Sequence, residues 1–67
     1  MSISYNKLWK LLIDKGITKT ELRKLSGVST NIIAKLGRGE SVTMDTLSKI
    51  CDALECDIAD IVEKVRE

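Results

Sequence analysis

Gly27 stands between two hydroxyl residues that can each open a helix, and this arrangement over residues 18–36 restricts the fold more than any other stretch of the chain. Thr18 can accept from a backbone N–H while Glu21, three residues on, bonds back to the Thr18 amide, which makes a capping box. A helix therefore starts at Thr18. Gly27 falls where the apolar repeat pauses, as expected of a residue that closes a helix with positive φ. Ser29 caps the next helix, in which Ile33 and Leu36 share one side and Thr30, Asn31, Ala34 and Lys35 lie largely on the other. Two short helices joined at a glycine, the second offering small hydrogen-bonding side chains and a positive charge outward, suit the major groove of double-stranded DNA, which admits one α-helix. An ordinary helical hairpin with a solvated outer face is the competing reading.

The rest of the chain is expected to be helical too. With 67 residues it makes one small domain spanning 1–67, near the lower limit for a single hydrophobic core. It has no proline, and alternating Val, Thr and aromatic runs of the kind strands prefer are scarce. Residues 1–4 lack strong periodicity and read as a short arm. Tyr5, Leu8, Trp9, Leu11 and Leu12 then give an amphipathic first helix over 5–15 that ends before Gly16. Trp9 is read either as packing over the bundle or as an anchor for a ligand or partner. Ile17 staples to Leu22, Val28 staples to Ile33, and Leu25 is expected to be at least partly buried. Residues 37–42, rich in glycine, form a loop. Thr43 caps a fourth helix with Leu47, Ile50, Cys51 and Leu54 as its buried stripe, and Asp57 caps a fifth carrying Ile58, Ile61, Val62 and Val65.

Charge is divided along the chain. Residues 1–38 hold eight basic and two acidic side chains, a net of +6, whereas residues 39–67 hold three and eight, a net of −5. A positive first half that contains the groove-reading helix is what a phosphate backbone attracts; chance segregation is the alternative. Arg23 and Lys24 project outward near this face, and Arg38, one turn beyond Lys35, reaches a phosphate beside the groove. The N-terminal amides of the fourth helix, with the Ser41 and Thr43 hydroxyls beside them, suit another.

Several classes drop out. There is no histidine, no cysteine beside a base, no zinc-ligand spacing and too little mass for an enclosed pocket of ordinary size, so no enzyme, metal or cofactor is expected. No apolar run approaches a bilayer span and no charged-then-apolar leader opens the chain, so an intracellular, cytoplasmic protein is expected. Cys51 and Cys56 are read as reduced thiols, with a disulfide between them as the alternative. An adaptor or antitoxin-like protein, binding a partner through the acidic half and the last helix, is the second functional reading. Apolar surplus on that last helix could equally pair two copies as a homodimer.

Gly16-Ile17-Thr18-Lys19-Thr20-Glu21-Leu22, Gly27-Val28-Ser29, Ile33, Leu36, Gly39, Leu47 and the run Ile50-Cys51-Asp52-Ala53-Leu54-Glu55-Cys56-Asp57-Ile58-Ala59-Asp60-Ile61 resemble the lambda-repressor-like, Cro-type (Xre) family. The resemblance covers about residues 5–62 and is greatest to short, stand-alone regulators. It implies a compact five-helix all-α domain with its helix-turn-helix in helices 2 and 3, in a prokaryotic or phage-encoded, nucleoid-associated protein. It implies that Thr30, Asn31, Ala34 and Lys35 face base edges, that Lys19 touches the DNA backbone, and that Ser29, Arg38 and Thr43 contact phosphates or sugars. Lys19 and Thr30 stand where the family often has glutamine, and Arg23 where it often has a small residue; Arg23 is placed along the backbone side. The expected function is a sequence-specific transcriptional regulator, a repressor, acting on two half-sites.

Overall fold

Four α-helices supply most of the regular structure in the computed structural model, which describes residues 2–65. They are α1 (Asn6–Lys15), α2 (Lys19–Ser26), α3 (Thr30–Gly37) and α4 (Met44–Leu54). The fifth helix is not formed. Asp57 leads into a single 3-10 turn at Ile58–Asp60, and the chain then extends into β2 (Glu63–Val65), antiparallel to β1 (Ser2–Ser4). The register sets Ser2 opposite Val65, Ile3 opposite Lys64 and Ser4 opposite Glu63. The domain is mainly helical, as expected of an all-α fold; the count of five helices is corrected to four, and the arm becomes one strand of a small two-stranded sheet, with Met1 outside the described residues.

The physical reason lies in packing, since a helix as short as α2 or α3 stands only where the core supports it. One tight turn already encloses Ile61 completely and packs Ile58 and Val62 against the core. Beyond it, pairing with residues 2–4 satisfies backbone N–H and C=O groups that a frayed helix end would leave to solvent. Val65 alone of the anticipated stripe stays exposed. The stripe closes the core instead of standing free for a partner, and a homodimer has no last helix to use.

The local signals of the middle section are realised. Glu21 N–H donates to Thr18 Oγ1 at 3.1 Å and Thr18 N–H to Glu21 Oε1 at 3.4 Å, completing the capping box. Gly27 closes α2 at φ 76°, where a side chain is disfavoured, and its N–H donates to the Arg23 carbonyl at 3.0 Å. Ser29 Oγ accepts from Ile32 N–H at 3.3 Å, and α3 continues through Gly37, one residue past the expected loop boundary. Thr43 Oγ1 accepts from Thr46 N–H at 3.2 Å and so starts α4. α4 ends less comfortably: Glu55 adopts φ 54°, ψ 51°, left-handed backbone without a glycine.

Leu8, Leu22, Leu36, Ile50, Leu54 and Ile61 are wholly enclosed, so every helix and the 3-10 turn contribute to one core. Each such side chain contributes roughly 1.5–3 kcal/mol by leaving water. Leu25, expected to be at least partly buried, is 59% exposed. Leu22 takes the inward position of α2, and the chain turns away at Gly27 before anything can cover Leu25.

Candidate nucleic-acid interface

α3 turns its hydrogen-bonding side chains to water. Thr30, Asn31 and Ala34 are exposed and Lys35 is half-buried, while Leu36 is enclosed and Ile32 and Ile33 pack against the core. A helix anchored from beneath by Leu36 thus presents Asn31, which carries both a donor and an acceptor, and Lys35, a donor, on its outer side. Adenine and guanine edges in the major groove have the complementary groups.

The flanking residues divide into those already held by the protein and those held loosely. Ser29 and Thr43 are exposed and accept helix-capping hydrogen bonds. Thr43 also shares a hydrogen bond with the Thr46 hydroxyl at 3.0 Å, whereas Ser29 keeps its own proton for another acceptor. Ser41 is exposed in the connection before α4; Arg23 is half-buried on α2 and Lys24 is exposed. Lys19, the first residue of α2, sets its Nζ 4.5 Å from the centroid of the Trp9 ring. Trp9 is half-buried and packs against the core as well, as the first of its two sequence readings has it.

Arg38 is paired. Its Nε donates to the Glu40 carboxylate, and this hydrogen bond, with the positive charges of Arg38 and Lys35 nearby, holds the Glu40 carboxyl below its ordinary range. Glu40 therefore belongs to the same charged cluster as Lys35 and Arg38, a role that sequence reading missed although the glutamate stands only two residues from the arginine. The apolar repeat of the first helix gives Tyr5 no role for its polar end. Its hydroxyl donates to the Glu40 carbonyl at 2.8 Å and so fixes the loop carrying this cluster.

The positive first half is not one platform. Lys7 donates to the Ala59 carbonyl at 3.4 Å and lies 3.9 Å from the Glu63 carboxylate. Lys10 borders a depression shared with Asp14 and Asp60, and the charge of Lys15 is felt at Cys56. Lys7 is thus engaged by the acidic end, and Lys10 lies beside it. Asp52, Glu55, Asp57 and Asp60 line a second depression there together with Cys51 and Cys56. Both thiols are free. Burial, followed by the neighbouring Cys56, pushes the Cys51 thiol up to about 11. Among the described residues no helix is long and apolar enough to cross a membrane.

A family model described as the Cro/C1-type HTH DNA-binding domain matches residues 7–67 of the chain. Among solved structures, the chain is similar to transcriptional regulator VanUg, Form II, at 52% identity and a TM-score of 0.93, over 98% of this chain and 88% of that one. No curated protein gives a significant match.

Proposed function

The chain belongs to the Cro/C1-type helix-turn-helix DNA-binding family, and on that premise we propose that it is a sequence-specific transcriptional regulator, a repressor, that lays α3 in the major groove. The observation that carries this reading is the exposure of Thr30, Asn31 and Ala34 on a helix anchored through Leu36. Thr30, Asn31, Ala34 and Lys35 take the base edges. Lys19, Arg23, Ser29, Arg38, Ser41 and Thr43 take phosphates and sugars, which set the seating without reading sequence. Repression follows from occupancy, because DNA covered by the protein is closed to other proteins. The similarity to a transcriptional regulator supports a role in regulation; the proposed place of action is the cytoplasm, at the nucleoid.

Two copies bind two half-sites about one DNA turn apart, roughly 34 Å. With no fifth helix to pair, the contact between copies is assigned to the exposed apolar side chains Ile3 and Met44, which border one groove beside the sheet. Glu63 and Lys64 adjoin them with opposite charges, so a two-fold arrangement can set each against the other. Sedimentation of the free protein and of its Met44→Glu variant reads this directly.

The deciding experiment is selection of bound sequences from a random DNA pool. An inverted repeat is expected. On the recovered site Asn31→Ala costs about 1–3 kcal/mol at one base position, whereas Lys19→Ala weakens binding to all sequences alike. Binding without sequence preference at moderate salt overturns the reading.

A further inference from the structure

We propose that Trp9 is a positioning residue for DNA binding: its indole face holds the Lys19 ammonium where a phosphate oxygen can meet it. The inference rests on the reading of Lys19 as a backbone contact. It starts from a difference between two cations of the interface. Arg38 is held by a carboxylate, which cancels its charge. Lys19 has no carboxylate within ion-pair distance among the described residues, and is held at 4.5 Å by an aromatic ring. A ring quadrupole attracts a cation without neutralising it, so the ammonium keeps its full charge and its remaining N–H donors for an anion approaching from the water side.

The placement is determined by both elements. Trp9 is fixed on α1 by packing its inner part against the core, and Lys19 is fixed at the first turn of α2 by the Thr18 capping box. A lysine tail otherwise samples many rotamers, all but a few of which are lost on meeting a phosphate. Restricting those rotamers beforehand removes part of that loss. Trp9 also borders the cleft that contains Asn6, Gly37 and Arg38, so the same indole adjoins two of the three cations assigned to the backbone.

The test is a double-mutant cycle on a fluorescein-labelled mixed-sequence duplex at low salt, followed by anisotropy, with circular-dichroism melting of every variant. Trp9→Leu is expected to weaken binding about three-fold in the wild-type background and to have no effect in a Lys19→Ala background. Trp9→Phe, which keeps an aromatic face, restores most of the loss and guards against a folding defect in the leucine variant. Lys19→Ala lowers the slope of log affinity against log salt by about 0.9, as expected for one lost phosphate contact. Equal weakening by Trp9→Leu with and without Lys19 overturns the inference, as does an undiminished affinity of Trp9→Leu. If instead Lys19→Ala binds as the wild type does, the assignment of Lys19 to a phosphate fails, a result distinct from additivity.

Discussion

The Tyr5 hydroxyl donates to the Glu40 carbonyl oxygen at 2.8 Å, joining the residue before α1 to the loop after α3 across 35 positions of sequence. Tyr5 is only 3% exposed, so its ring is core and its oxygen is the core's polar edge. Tyr5→Phe keeps the ring and removes the donor. A loss of about 0.5–1.5 kcal/mol is expected, a fall of several degrees in Tm for a domain of this size. DNA affinity should fall with it, since the loop holding Arg38 loses its tether; melting and anisotropy on one preparation check both.

Glu40 restrains Arg38. A phosphate that takes the guanidinium must displace this carboxylate, so Glu40→Gln is expected to raise affinity for any duplex about two- to five-fold at low salt, the gain shrinking as salt rises. The pH dependence has a definite sign. Glu40 is depressed below its ordinary range, first by the Arg38 hydrogen bond, so its contribution to the folded state is present above the unfolded-state value and is lost as pH falls through the native one. The acid side of the stability profile should be flatter for Glu40→Gln than for wild type.

At the end of α4 a glutamate occupies a glycine's conformation. Glu55 stands at φ 54° at the C-terminus of α4, where the helix dipole disfavours a negative charge. Glu55→Gly is expected to stabilise the protein by up to about 1 kcal/mol, whereas Glu55→Ala keeps the backbone strain and should recover less. Urea midpoints of the two variants separate the two causes.

Cys51 makes an alkaline prediction. Its thiol is raised from 9.0 to about 11 by burial and by Cys56. Between those values the unfolded chain releases its proton first, so stability conferred by the neutral thiol is complete below 9.0 and is lost as pH rises to about 11. Cys51→Ala should show a shallower decline in urea midpoint across that window. Burial raises Tyr5 and Cys56 as well, so the difference between variant and wild type reads Cys51 together with its coupling to Cys56.

What the chain reveals before folding is what its neighbours along the backbone decide. Thr18 and Glu21 lie within one helical turn, as do Ser29 and Ile32, and both caps form as their spacing requires. The outward set on α3 was legible for the same reason: periodicity alone separates Asn31 from Leu36. Contacts set by packing were not legible. Lys19 meets Trp9 only because α1 and α2 dock, and Ile58, Ile61 and Val62 carry a helical spacing that one 3-10 turn and the core already satisfy. Leu25 fits the apolar repeat of α2, yet no element crosses over it. The diversion of Lys7 to Ala59 and Glu63 likewise depends on where the last turn settles, so a count of charges by half could not locate the basic surface.

The pairing of Ser2–Ser4 with Glu63–Val65 has a consequence for the order of assembly. A ladder whose two sides are separated by almost the full sequence cannot nucleate early, because closing so long a loop costs entropy before any reward arrives. It forms last, on helices already docked, and it opens first. Amide hydrogens of Ile3 and Lys64 should therefore exchange by local fraying while those of Leu22 and Ile50 wait for global unfolding, which makes the sheet a latch that can release without dismantling the surface offered to DNA.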